Sequence, residues 1–439
     1  MRLIFDKGTI TIDEKINVPY FKWDKRVNKY RSEALHYPEI LEHLKYSKLP
    51  FDDNVLDLIP CPFLSSTIKL RNYQKDALKK WFHNKKGAVV MPTGAGKTIF
   101  AMKIIEKVSS STFIVVPTLD LVNQWKKELK KAFSIDIGEF TGNKKKLEPI
   151  TVSTYNSAYI NAAYLGNKFK LLIFDEVHHL PSESFKHIAE MFASPYRLGL
   201  TATFERDDGL HDELPKLIGD KIYEISPEPL AGEYLADFET KKITVDFTEE
   251  EQVEYDGAQS TFKNYLISRN IKMRGPKDFQ KIVMRSGRDL KAREAILARN
   301  KAEKLAFNSK NKINELAKLL DKDNRTIIFT KYNNMVYKIS KRFLIPCITH
   351  KTKKDERKEI LEKFKGGIYC AIVSSRVLDE GIDVPEANVG IILSGTGSSR
   401  EYIQRLGRIL RPAKNKMAIL YEIITRNTME VRTSYRRKN

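Results

Sequence analysis

Gly87–Thr98 reads GAVVMPTGAGKT: an apolar strand, a glycine-rich turn, then the start of a helix that continues as TIFAMKIIEKV to Val108. Gly94 and Gly96 allow the backbone between Thr93 and Lys97, Ala95 included, to curl so that successive amides face a nucleotide's phosphates. Lys97 is placed to reach the outer phosphates, and the Thr98 hydroxyl to coordinate Mg2+. The strict pattern begins with glycine where this chain has Met91. The strand before the turn and the helix after it supply the context that a bare GKT lacks. A nucleotide site with Mg2+ is the expectation.

A second strand-like run, Leu171–His179 (LLIFDEVHH), ends in a carboxylate pair. Asp175, at the strand tip, suits a Mg2+ ligand, and Glu176 suits the base or orienting group for an attacking water. His178 and His179 have no third ligand at metal-binding spacing, and a relay of the nucleotide state is the better reading. Gln404–Pro412 (QRLGRILRP) spaces Gln404, Arg408 and Arg411 along one predicted helix. Arginines so placed can stabilise charge that develops on a transferring phosphoryl group.

Outward from these segments, short apolar runs alternate with helical stretches. GAVVM, TFIVV, PITVS, KLLIF and RLGLT form one series, and TIIFT, IPCIT, YCAIV, VGIIL and AILYEII a second. Such alternation predicts α/β architecture: two tandem parallel-sheet domains with sites at the carboxyl ends of the strands. We expect a small N-terminal α+β module over 1–62, the first α/β domain over 63–236 and the second over 237–439. The helical, basic stretch 250–308 is read as a thumb-like insert in the second. Within the module, Tyr20, Phe21 and Trp23 are assigned to its core in preference to base stacking.

The 439 residues are 41% hydrophobic, enough for real cores, and no apolar run approaches the roughly 18 residues of a membrane span. The three cysteines lie far apart, which indicates neither a zinc ribbon nor a disulfide framework. A soluble intracellular protein is expected, cytoplasmic or, in a eukaryote, nuclear, with no membrane partner. Lysine and arginine (77) exceed aspartate and glutamate (56), for a net charge of +21. That surplus suits a polyanion. It is concentrated late: residues 1–60 are neutral overall, whereas 251–310 carry fourteen basic and seven acidic side chains. Arg269, Lys272, Arg274 and Lys277 crowd one short stretch of the insert.

Taken together the segments resemble the superfamily 2 helicases: MPTGAGKT, IVVPTLDLVNQW, DEVH, LTATF, SSRVLDEGIDVP and QRLGRILRP occur in that family's order. The resemblance implies ATP bound between two RecA-like domains, with nucleic acid across the top of both. It sets Arg71 and Gln74 of LRNYQKDAL near the adenine and Asp383 near the ribose, and gives Thr201 and Thr203 the coupling of hydrolysis to motion. DEVHH and FERDDG are similar to the XPB-type repair and transcription helicases, in small archaeal form. In that branch a charged trio, commonly Arg-Glu-Asp, follows the third motif. The matching residues are Arg206, Asp207 and Asp208, with aspartate in place of the usual glutamate.

The function this implies is an ATP-dependent DNA helicase or translocase of 3′-to-5′ polarity, acting on duplex or forked DNA in nucleotide excision repair or transcription. It would work as a monomer or in a hetero-complex, with a repair endonuclease as a candidate partner. Two alternatives stay open on sequence: the motor of a restriction or RNA-remodelling system, and an ATP-switched DNA-binding scaffold for a partner nuclease.

Overall fold

The computed structural model describes residues 1–14, 18–206, 208–226, 228–230, 238–273, 275–375, 387–394 and 418–438. The chain divides near residue 230 into two compact units.

The first unit begins with strands β1 (Arg2–Asp6), β2 (Thr9–Ile12), β3 (Lys22–Asp24), β4 (Lys29–Glu33) and β5 (Asp52–Asn54), in the order β3-β4-β2-β1-β5, with helix α1 (Tyr37–Tyr46). Leu3, Ile10, Ile12, Ile40 and Leu44 fill the core between sheet and helix, and Ala193, from far along the chain, closes it. The segment that leaves the sheet is stitched to the same neighbour. The Asp57 amide donates to the Asn167 carbonyl (3.0 Å) and that of Ile59 to Lys168 (3.1 Å). Gly166 allows this approach, because a Cβ there would collide with the Met191 carbonyl and the Phe5 ring. The module thus shares its interior with the α/β domain beside it. Of the three aromatics assigned to that core, Phe21 packs against it, whereas Trp23 is 44% and Tyr20 47% exposed. Trp23 rests against Tyr30 and Tyr20 stacks on His36, both at the surface. Aliphatic side chains from β1, β2 and α1 already fill the core, and β3 is a three-residue edge strand.

The α/β part of this unit comprises α2 (Asn72–Asn84), β6 (Lys86–Val90), α3 (Lys97–Val108), β7 (Thr112–Val116), α4 (Leu119–Phe133), β8 (Gly138–Phe140), β9 (Lys145–Lys146), β10 (Ile150–Thr154), α5 (Tyr155–Ile160), α6 (Ala162–Leu165), β11 (Leu171–Asp175), α7 (Lys186–Met191), β12 (Tyr196–Thr201), α8 (Leu214–Ile218) and β13 (Lys221–Glu224). The sheet order is β13-β6-β12-β11-β7-β10-β8-β9, parallel except for the β8–β9 hairpin. Every residue of β7 and β11 is buried. Helices cover both faces of such a sheet, so its central strands read as unbroken apolar runs. Because the strands are parallel, β6, β7, β10, β11 and β12 all end on one edge. Those five are the first predicted series.

The second unit holds β14 (Phe238–Val245), α9 (Glu249–Ser268), α10 (Pro276–Arg285), α11 (Leu290–Phe307), α12 (Lys310–Leu319), β15 (Thr326–Phe329), α13 (Asn333–Phe343), β16 (Cys347–Ile348), α14 (Lys354–Lys365), β17 (Ala371–Ser374), β18 (Val389–Ile392), β19 (Ala418–Thr425) and α15 (Met429–Lys438). Its parallel sheet runs β14-β19-β18-β15-β17-β16. A fully buried ion pair ties its elements together. Lys312 of α12 donates to both carboxylate oxygens of Glu430 (2.6 Å each) and to the Leu393 carbonyl (2.6 Å), and Glu430 also accepts the Thr425 amide.

Helices α9, α10 and α11 form the basic insert. Ala258, Ala292, Ala295 and Ala302 keep α9 and α11 close, and Phe262, Tyr265 and Ile282 pack among them. The insert is rooted by one carboxylate. Glu251 closes a capping box with Thr248 at the start of α9 and accepts the Lys310 amide (2.9 Å) at the start of α12. Among the described residues, no helix is long and apolar enough to cross a membrane.

Candidate nucleotide site and its surroundings

The glycine-rich turn leaves the carboxyl end of β6 and enters α3. Gly94 (φ 86°) and Gly96 (φ 78°) occupy the left-handed region, which glycine adopts without steric cost. A Cβ on Gly96 would also stand 2.8 Å from the Gln74 amide nitrogen. Lys97 donates from Nζ to the Met91 carbonyl (3.1 Å), so its ammonium lies across the loop it belongs to. Thr93 and Thr98 are half-buried and Ala95 is buried.

Arg71 and Gln74 are brought to this loop. The Arg71 amide donates to Gln74 Oε1 (3.0 Å), and Gln74 Nε2 donates to the carbonyls of Ala95 (3.0 Å) and Gly96 (3.2 Å). Tyr73, which lies between them in sequence, donates its hydroxyl to the Ala95 carbonyl (2.7 Å) while accepting from Arg71 (3.1 Å). Sequence reasoning passed over Tyr73.

Asp175 ends β11, two strands from β6 in the sheet, and is 8% exposed. Its Oδ2 accepts the indole N–H of Trp125 (2.8 Å) and its Oδ1 the Glu176 amide (3.1 Å). Burial pushes its carboxyl above the ordinary value, while the Trp125 hydrogen bond, the positive charge of Lys97 and the Glu176 amide act in the opposite direction. Glu176 has φ 50° and ψ 56°, a left-handed conformation that costs a non-glycine residue on the order of 1–3 kcal/mol and is found at functional sites. Tyr155, fully within the core, donates its hydroxyl to the Asp175 carbonyl (3.1 Å). His178 is buried, with Nδ1 3.0 Å from the Thr201 hydroxyl and 3.5 Å from a Glu176 carboxylate oxygen. Thr201 donates in turn to the Thr203 carbonyl (2.7 Å). The ends of β11 and β12 are therefore one hydrogen-bonded assembly.

Arg206 extends that assembly. It donates to the His178 carbonyl and makes a two-pronged pair with Asp208 (2.9 and 2.6 Å) that holds the Asp208 carboxyl well below the usual range. In the insert, Arg269 pairs with Asp289 (3.2 Å), which caps α11 through the amides of Lys291 and Ala292, whereas Lys272 is exposed. Lys277 belongs to the first turn of α10. Asp207, Arg274, Asp383, Gln404, Arg408 and Arg411 lie outside the described residues.

A buried carboxylate, a threonine hydroxyl and a glycine turn with its lysine make a donor set suited to a magnesium–nucleotide phosphate. Together with two parallel α/β units, this defines the class: a nucleotide-binding α/β protein with a phosphate loop and an acidic partner at its strand ends. The comparisons agree. The family model described as type III restriction enzyme, res subunit matches residues 67–206, the helicase conserved C-terminal domain matches 311–413, and the xeroderma pigmentosum group B helicase damage recognition domain matches 3–55. The chain is 46% identical, over 99% of both proteins, to the DNA 3′-5′ translocase XPB2 of Sulfurisphaera tokodaii. It is 30% identical to the DNA 3′-5′ helicase XPB of Mycobacterium tuberculosis, with 82% of this chain matched and 62% of that one. It is 28% identical to an Arabidopsis thaliana protein named general transcription and DNA repair factor IIH helicase/translocase subunit XPB2, with 92% of this chain and 52% of that one matched. The chain thus spans little more than half of these two longer relatives. The crystal structure of the Pyrococcus furiosus Hef helicase domain superimposes with a TM-score of 0.54 at 18% identity, covering 84% of this chain and 98% of that one, a likeness of fold. This chain belongs to the XPB family of DNA helicases and translocases.

Proposed function

We propose that the protein is an ATP-hydrolysing DNA motor of 3′-to-5′ polarity that opens or moves along duplex DNA in excision repair or transcription. The observation that carries the reading is the assembly at the ends of β6, β11 and β12, set in a chain that matches an archaeal DNA 3′-5′ translocase along its whole length. In this reading Gly94 to Lys97 cradle the phosphates, and Thr98 and Asp175 hold Mg2+. When bound there, the ion would supply positive charge against the phosphates. Glu176 orients the attacking water and takes its proton. His178 and Thr201 carry the state of that end to Arg206, the first member of the charged trio. A hetero-complex, with a repair endonuclease as one partner, suits such a motor. The test is ATP turnover without nucleic acid, with duplex DNA, with forked DNA and with RNA at one salt concentration. DNA should stimulate and RNA should not; equal turnover in all four would refute the assignment.

Arg206 is bonded to the His178 carbonyl, whereas Asp208 is bonded to Arg206 and accepts the Leu210 amide (3.2 Å), so the arginine and this aspartate should behave differently. Alanine at both Asp207 and Asp208 is expected to slow unwinding of a fork while leaving DNA-free ATP turnover intact. Arg206→Ala should lower both, by about tenfold for the loss of one charge-assisted hydrogen bond. Unwinding at the wild-type rate by the double aspartate variant would remove the trio from the strand-opening step.

For the insert, we propose that Lys272, Arg274 and Lys277 bind DNA phosphates, with Arg269 committed in part to the α11 cap through Asp289. Charge reversal at the first three, with Arg269 kept, should flatten the log–log salt dependence of DNA binding by about 0.9 for each phosphate that is no longer neutralised. Phe262 and Tyr265 pack inside the insert, so thermal stability should hold. An unaltered slope in the folded variant would take the insert off the DNA surface.

A further inference from the structure

Two tryptophans are fully buried in the first unit, and they use their indole N–H groups differently. Trp81 donates to a backbone carbonyl, that of Arg197 (3.0 Å), the common way to satisfy a buried indole. Trp125 donates to a carboxylate oxygen, Asp175 Oδ2 (2.8 Å), fifty residues away in sequence. An ionised carboxylate offers about four acceptor positions on two oxygens. Trp125 occupies one on Oδ2 and the Glu176 amide one on Oδ1, which fixes the plane of the group and, among the described residues, leaves a position on each oxygen open. The main chain at the same residue is held by the Tyr155 hydroxyl on the Asp175 carbonyl. The two braces come from different elements. Trp125 stands on the second turn of α4, capped by Thr118 beyond the end of β7, and Tyr155 begins α5, capped by Thr154 at the end of β10.

We propose that Trp125 is a positioning residue for ATP hydrolysis: its indole N–H sets the orientation in which Asp175 meets the metal–nucleotide, and it couples that orientation to the placement of α4. The inference rests on the reading of Asp175 as the metal-facing carboxylate. Groups that orient a metal-binding carboxylate through their hydrogen bonds typically matter about 10–100-fold in metal affinity or activity when removed. Trp125 should fall in that range although it touches neither nucleotide nor metal.

The test uses the full-length chain and a fluorescent ATP analogue, titrated once with Mg2+ and once with EDTA, alongside steady-state turnover against Mg2+ concentration. Trp125→Phe keeps an aromatic ring and removes the donor. It should weaken binding with Mg2+ by about 10–100-fold, raise the Mg2+ concentration for half-maximal turnover, and leave binding in EDTA unchanged. Trp81→Phe, which also loses a buried indole bond, should leave the Mg2+ dependence as it is. In an Asp175→Asn background Trp125→Phe should add nothing. If Trp125→Phe does not fold, benzothienylalanine at position 125, which keeps the indole shape with sulfur in place of N–H, makes the same comparison. Equal losses with Mg2+ and EDTA, a wild-type Mg2+ dependence, or the same effect in the Asp175→Asn background would each overturn the proposal. A wild-type chain that neither binds the analogue nor turns over ATP would instead bring down the functional reading.

Discussion

Lys97→Ala is expected to reduce ATP hydrolysis by about 10²–10³-fold, the scale of losing a donor aimed at developing charge in a water-excluded site. The glycine turn does not depend on this side chain: Gly94 and Gly96 set its backbone, and Gln74 and Tyr73 hold its carbonyls. The variant should therefore fold, losing its phosphate partner and the bond to the Met91 carbonyl. Glu176→Gln separates binding from chemistry. Asp175 keeps its donors from Trp125 and from the residue 176 amide, so the nucleotide and metal should still bind. The water loses its base, worth about 10²–10⁴-fold in rate. Hydrolysis near the wild-type rate by either purified variant, measured as phosphate release, would show that the site has been misread.

Removing Arg408 or Arg411 should cost turnover about 10³–10⁵-fold, the range for an arginine that meets transition-state charge. Nucleotide affinity should change far less. Both residues lie within the second α/β series, between VGIIL and AILYEII, whereas Lys97 and Asp175 belong to the first unit. The measurement is single-turnover hydrolysis beside the dissociation constant for a nucleotide analogue. Equal losses in the two, or none, would class the arginines as surface charge.

The sequence was most informative where a single local constraint governs a run of residues. The strands β6, β7, β10, β11 and β12 were legible because a parallel sheet covered on both faces makes them continuously apolar. The phosphate turn was legible because only glycine takes positive φ freely at Gly94 and Gly96. Strand β14, FETKKITV, was not. It pairs with β19 over eight residues, but at the sheet's margin, where Lys241 and Lys242 interrupt the apolar signal. Marginal β13 (KIYE) escaped for the same reason. Pairings across long separations left no trace either. Trp125 with Asp175 and Lys312 with Glu430 are each one side chain meeting another through the fold. Trp125 gave a faint signal, since a tryptophan in a helix that packs on a sheet needs an acceptor for its N–H, yet nothing local points to Asp175. Tyr20 and Trp23 misled because composition does not reveal that aliphatic residues had already filled so small a core.

The central claim, that ATP hydrolysis at this site drives movement along DNA, is tested most directly by displacement of a triplex-forming strand from duplex DNA. The wild-type chain should displace the strand with ATP but not with ADP, at a rate that tracks ATP turnover, and Glu176→Gln should bind the duplex without displacing anything. Displacement by Glu176→Gln at the wild-type rate, or DNA-stimulated turnover by the wild type with the third strand left in place, would contradict it.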